Sequence, residues 1–270
     1  MLTKSWTLIR HVFGITSVIF IMLPHSAKAQ EVNNEIGLFF NQATYQCMLT
    51  QQAIKDYMLL GVEVDVAETS VEMDESIKAF ENMLKDFKKK ELSESLKSAM
   101  EKLDQDWQKT KPFLTKKATK YGGEQLLVRN VELYKSCSQF VETVAQGISS
   151  RHKNMLMATA KQRILAQQMA LYYTAYTWGF RDPQIEDALS KFNKEFHVGV
   201  ILLGKNSTNV ADINNATKKI KSHWIYAKTG MSKYHEKQFV PHLVASSMGS
   251  IVRELNKIVG LYQDLIDRGV

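Results

Sequence analysis

Apolar side chains recur along this chain at alternating steps of three and four. Met73, Ile77, Phe80, Leu84 and Phe87 form one stripe, Ile185, Leu189, Phe192 and Phe196 a second, and Val210, Ile213, Thr217, Ile220 and Trp224 a third. Leu92, Leu96, Leu103 and Trp107 mark another, and Ile251, Leu255, Ile258, Tyr262 and Leu265 the last. Such spacing lays apolar groups along one face of a helix, whereas a strand would alternate strictly. No convincing alternating segment occurs, so the pattern predicts an all-α fold in which each helix buries one face. Helices are expected near 33–60, 69–89, 92–110, 124–178, 183–203, 209–227 and 239–267. The long fourth span reads as two helices joined around residues 147–150, or run together as one.

The punctuation supports these spans. Pro112, Pro183 and Pro241 fall at expected helix ends, where a missing amide donor does least harm. Thr69 with Glu72 has capping-box spacing, and Asp182 followed by Pro183 offers an acceptor and a preset first residue. Gly61, Gly179 and Gly204 each follow a periodic segment and are expected as left-handed caps.

Sliding the sequence along itself reveals a repeat of about 116 residues. Gln46-Cys47-Met48-Leu49-Thr50-Gln51-Gln52 lies over Gln162-Arg163-Ile164-Leu165-Ala166-Gln167-Gln168, and Tyr57 lies over Tyr173. Lys78-Ala79-Phe80 falls beside Ser190-Lys191-Phe192, and Trp107 beside Trp224. The expected organisation is two tandem four-helix bundle modules, 30–148 and 149–270, preceded by a signal peptide over 1–29. That leading segment has a basic start at Lys4 and Arg10, an apolar run from Val12 to Leu23, and a small-residue cleavage site at Ala27-Lys28-Ala29. Its apolar run is shorter than the ~20 residues that cross a bilayer, and no later segment repeats it. A retained membrane anchor is the alternative reading. Cleavage before Gln30 predicts an exported, periplasmic chain with no integral membrane segment.

Removing Lys4, Arg10 and Lys28, and no acid, lowers the formal charge from +7 to +4, with both signs interleaved in the remainder. Lys88-Lys89-Lys90 and Lys116-Lys117 sit between periodic segments, as solvated helix ends do, which argues against nucleic acid as a partner. Cys47 and Cys137 admit two readings: a disulfide, which an exported compartment permits, or two small buried apolar side chains, the reading preferred on sequence. Nothing points to an enzyme or a cofactor. His152, His197, His223, His235 and His242 form no metal-binding helical pair, and neither a phosphate-cradling glycine loop nor a glycine-flanked serine elbow occurs. Trp107 and Trp224 end apolar stripes and are expected in the core rather than as ligand platforms. Asn206-Ser207-Thr208 reads as a helix-start loop.

Candidate chemistry centres on Ala160-Lys161-Gln162-Arg163-Ile164-Leu165-Ala166-Gln167-Gln168-Met169-Ala170. This segment resembles the signature of the N-terminal sensory domain of type IV pilus methyl-accepting chemotaxis transducers. That signature has a small residue, a basic residue, Gln-Arg, two apolar residues, a small residue and Gln, with a later tryptophan at the position of Trp224. The resemblance covers roughly 150–230 best, and the first module looks like a diverged copy. The family is similar to the periplasmic domain of nitrate-sensing histidine kinases, in which an arginine at the position of Arg163 helps bind an anion between helices. The resemblance therefore implies a small-anion ligand, with Arg163 leading and Gln167, Gln162 and Lys161 beside it, and an envelope or receptor protein as partner. Departures bear on this. Cys47 stands at the place of Arg163 in the first module, Lys161 where arginine is common, and Ala166 where serine is common. The membrane helices and output domain that usually carry the signal are not legible here, so signalling through another protein is expected.

Residue chemistry leaves two readings open. Arginine offers a rigid fork of donors suited to a planar oxyanion or carboxylate, and Gln167, four residues on, projects from the same face. Alternatively, Arg163 pairs with an acid such as Glu186 or Glu195, or snorkels to solvent, while the glutamines fix helix register, as in a structural or adapter bundle of the cell envelope or pilus system with no small ligand.

Overall fold

A computed structural model describes residues 25–149, 152–232 and 239–268. The basic start and apolar run of the expected signal peptide, and His235, lie outside the described residues. The described chain forms eight α-helices and no strand: α1 (His25–Gly61), α2 (Val66–Phe87), α3 (Glu94–Leu114), α4 (Lys120–Gln146), α5 (Lys153–Thr177), α6 (Pro183–Lys205), α7 (Ala211–Ser232) and α8 (Pro241–Asp267). The expected all-α fold is observed, and the span 124–178 is two helices.

Several helix ends differ from expectation. Helix α2 starts three residues before Thr69, behind Asp65 in a left-handed conformation (φ 43°). Thr69 is instead buried in the first turns, its hydroxyl donating to Val64 O at 2.9 Å. Helix α3 passes through Pro112 to Leu114, since a proline in the last turn removes only one late intrahelical bond. Gly204 lies inside α6, and after α1 the positive φ falls on Glu63 and Asp65 rather than on Gly61. Gly179 is left-handed as expected (φ 98°), and Asp182 caps α6 by accepting from Gln184 N at 2.9 Å.

Helices α1 and α5 lie side by side and parallel at the centre. Thr44 touches Arg163 near one end, and Gly61 meets Trp178 at the other. The indole packs directly on backbone there: a Cβ at Gly61 would stand 2.3 Å from Trp178 Cζ2, and one at Gly123 2.7 Å from Cζ3 of the same ring. Around this pair the two halves repeat their neighbours. Helices α2 and α4 pack on α1, and α3 on α4; α6 and α8 pack on α5, and α7 on α8.

Individual contacts repeat as well. Phe80 lies 4.1 Å from Trp107, centroid to centroid, and Phe196 lies 4.9 Å from Trp224. The second-half counterpart of Phe80 in this contact is thus Phe196 rather than Phe192, which packs on Tyr172. Tyr57 OH accepts the N–H of Thr119 at 3.1 Å and donates to Lys117 O at 3.3 Å, tying the end of the third helix to the start of the fourth. Tyr173 OH does the same in the second half, with Val240 N at 3.0 Å and Gly230 O at 3.5 Å.

The halves differ in one respect that positions the site. Helix α8 rests on α1 as well as on α5, whereas α4 touches α5 only marginally. Cys47 and Cys137 are joined as a disulfide between α1 and α4, their Cα atoms 5.5 Å apart, so the preferred reading of two free apolar cysteines is replaced. Among the described residues no helix is long and apolar enough to cross a membrane.

Candidate functional site

Every residue from Gln162 to Leu171 is buried, because α5 is enclosed by α1, α6 and α8. A polar side chain on such a helix must find partners or remain unsatisfied in a low-dielectric interior. The four residues expected at the site divide between two faces. Lys161 turns toward α6, where its half-exposed ammonium pairs with Glu195 at 2.8 Å. Gln162 also faces α6: its amide fills the space over Gly199, where a Cβ would come 2.1 Å from Nε2, and its Oε1 has no hydrogen-bond partner. Arg163 faces α1 and α8, and Gln167, one turn on, lines a separate cavity between α1, α2 and α8.

Arg163 is 1% exposed and forms no ion pair among the described residues. Glu195, one of the acids offered as its partner, is taken by Lys161 instead. Nη1 of Arg163 donates to Asn41 Oδ1 at 3.2 Å and to Asn256 Oδ1 at 3.0 Å. Nη2 donates to Thr44 Oγ1 and, at 3.5 Å, to Asn41 O. The Nε–H has no partner. All the acceptors are therefore neutral and come from α1 and α8. Burial lowers the guanidinium pKa to about 10, which leaves it charged at neutral pH.

One cavity adjoins this cation and a second lies beyond it along α1. One, of about 300 Å³, is lined by Arg163 with Asn41, Gln42, Tyr45, Met83 and Asn256. The other, of about 440 Å³, has Gln167 on its floor, Gln52 and Lys55 from α1, Glu68 and Glu72 from α2, and Arg253 from α8. Tyr45 and Asn256 line both. At the far mouth His242 Nδ1 lies 2.5 Å from Asp65 Oδ2, joining the start of α8 to the α1–α2 turn.

Beneath the larger cavity lies a second buried charge. Lys55 Nζ approaches Asp56 Oδ1 to 2.6 Å and Glu72 Oε2 to 3.9 Å. Neither oxygen of Asp56 has a well-aligned donor among the described residues. Burial pushes Asp56 up to about 6, against the pull of Lys55. Among the described residues no three His, Cys, Asp or Glu side chains stand together as a metal site would require.

Asn41, Thr44, Tyr45 and Asn256 were missed in the sequence. Their signal was indirect: from Thr44 to Asp56, α1 carries Thr44, Gln46, Thr50, Gln51 and Asp56, all buried, a polar content that fits no outward face. At the equivalent place in the first half the surroundings are apolar, with Cys47 bonded to Cys137 and Phe140 packed on Phe39 and Phe87. Comparison with known proteins finds no matching family model, no similar curated protein and no similar solved structure.

Proposed function

We propose that this chain is an exported, periplasmic ligand-binding protein of the sensory kind, which holds a small anion at Arg163 and conveys its presence to a partner protein by rearranging helices. One observation carries the reading: a fully buried guanidinium beside a cavity, surrounded by neutral acceptors only, with its Nε–H unpaired. Burying a cation without a counter-charge costs several kcal/mol, and an anion at the free edge of the fork offsets that cost. The resemblance of residues 160–170 to transducer sensory domains points the same way. Because Asn256 of α8 and Thr44 of α1 share the guanidinium, an anion competing for it bears on how α8 sits between α5 and α1.

The matched Phe–Trp and tyrosine contacts support two tandem modules, and Cys47 at the place of Arg163 implies one site per chain. The test is a thermal-shift screen of residues 30–270 with nitrate, nitrite and small carboxylates, followed by calorimetry. Stabilisation by an anion in the native chain and none in Arg163→Ala is expected; no response in the native chain would abandon the reading. Mass spectrometry of the envelope fraction should find an N-terminus at or near Gln30, and recovery only as a full-length membrane-embedded chain would refute export.

An adapter role without a small ligand is the second reading. It is favoured by apolar side chains more than half exposed on the outer helices, Val198 and Leu202 one turn apart on α6 and Ile225 with Tyr226 on α7.

A further inference from the structure

The two cavities lie end to end along α1. The smaller takes in Asn41 and Gln42, the larger reaches Lys55 and beyond, and Tyr45 borders both. Three helices give comparable spans. From Thr44, which touches Arg163, to Lys55 is eleven residues of α1; from Met83 back to Glu72 is eleven residues of α2; from Asn256 back to His242 is fourteen residues of α8. At 1.5 Å per residue these are distances of about 16 to 21 Å. Taken together the two form an elongated trough along α1, between α2 and α8, which α5 meets at Arg163 and Gln167.

The ends of the trough differ in charge. At one end stands the buried Arg163, with its Nε–H unpaired and no acid beside it. At the other, α2 presents Asp65, Glu68 and Glu72. Asp65 is held by His242 and Glu72 is approached by Lys55 at 3.9 Å, while Glu68 forms no ion pair among the described residues. Between the ends lie Gln52, Gln167 and Ser246, which both donate and accept, together with the cation of Arg253, whose Nη2 donates to Ser250 Oγ at 2.8 Å.

A monatomic or triatomic anion uses only the first of these features. A ligand that uses all of them carries a carboxylate at one end, an ammonium about 16 Å away, and amide groups between. We infer that the trough holds an extended peptide of about five residues, with its C-terminal carboxylate at Arg163 and its amino terminus at Glu68 and Glu72. Five residues at ~3.3 Å each match the span, and the side-chain amides of Gln52, Gln167 and Asn256 meet the peptide groups of the backbone. This inference rests on the anion reading of Arg163 and names the anion as a terminal carboxylate.

The test is calorimetry on residues 30–270 with acetate, nitrate and the alanine oligomers from two to six residues, each oligomer also as its C-terminal amide and its N-acetyl form. Affinity should rise with length up to about five residues and exceed that of acetate at least tenfold. Amidation should cost about tenfold, as should Arg163→Ala or Arg163→Lys, since each removes one charge-assisted contact; acetylation and the Glu68→Gln/Glu72→Gln double variant should cost about as much at the other end. Binding of nitrate or acetate that depends on Arg163, with no gain from longer oligomers, would overturn the peptide inference and leave the anion reading standing. Binding of nothing would overturn both. Equal affinity for the free and amidated pentamers would also overturn it, and because the ligand rather than the protein is altered, no question of folding enters.

Discussion

Arg163 Nη1 donates to Asn256 Oδ1 at 3.0 Å, a bond from a buried cation to an uncharged amide. A guanidinium kept for stability would be expected opposite a carboxylate, because neutral acceptors compensate desolvation only in part. Stability and binding should therefore respond in opposite directions. Arg163→Met, which keeps the length and discards the charge, should leave the fold as stable as before or more stable by about 1 to 3 kcal/mol. Arg163→Ala should weaken the best-binding anion by ten- to a hundredfold, or about 1.5 to 3 kcal/mol. Urea unfolding and calorimetry on the same preparations separate the two effects. A clear loss of stability in Arg163→Met would mark the arginine as structural.

Asp56 gives a pH signature. Its carboxyl titrates near 6 in the folded chain against an ordinary 3.8, so the folded state holds this proton more tightly than the unfolded state. Its contribution is fully present below about pH 4 and is lost as pH rises through 6, by up to about 3 kcal/mol for a shift of about two units. Asp56→Asn cannot ionise. Its stability relative to the native chain should be similar at pH 4 and greater at pH 7.5, and a difference that does not grow with pH would contradict the assignment.

The Cys47–Cys137 bond closes a loop over a sequence separation of 90. Loop-closure entropy assigns such a link about 4 to 5 kcal/mol, and the usual measured range is about 2 to 4. Reduction, or the double Cys47→Ser/Cys137→Ser variant, should lower the unfolding free energy by an amount in that range, read from urea unfolding. Anion affinity should barely change, because neither cysteine lines the cavity at Arg163. Cys47→Ala then serves as the control for Arg163→Ala, its counterpart in the other half.

Tyr57 and Tyr173 allow the likeness of the halves to be measured energetically. Replacing either with phenylalanine leaves a capping N–H, that of Thr119 or of Val240, without its acceptor. Each change should cost about 1 to 3 kcal/mol. The two costs should agree within roughly 1 kcal/mol if the tyrosines do the same work, and unfolding curves of Tyr57→Phe and Tyr173→Phe side by side decide it.

The helices were legible because three-four spacing is a direct record of one buried face, and the outer helices α2, α3, α6 and α7 have one. Their ends were less so. Thr69-Glu72 has the composition of a capping box, yet left-handed Asp65 and the hydroxyl of Thr69 on Val64 O start the helix a turn earlier. The central helices posed a different difficulty. Helices α1 and α5 are enclosed on nearly every side, so burial there imposes no period and polar residues enter without facing water. Arg163 stands out through its motif, but Asn41, Thr44 and Asn256 lie 122, 119 and 93 residues away and meet it only once α1 and α8 are packed against α5. Nothing local in those segments encodes that meeting.

The sharing of α1 between both sets of helices also bears on how the molecule could be taken apart. The guanidinium of Arg163 belongs to the second half by sequence, while two of the side chains that hold it belong to the first. Expressed alone, residues 149–270 would present an arginine and an apolar α5 face to water and would be expected to self-associate or aggregate. A single proteolytic cut between α4 and α5, by contrast, would leave two fragments still interlocked through α1, co-migrating on a sizing column until denaturant parts them.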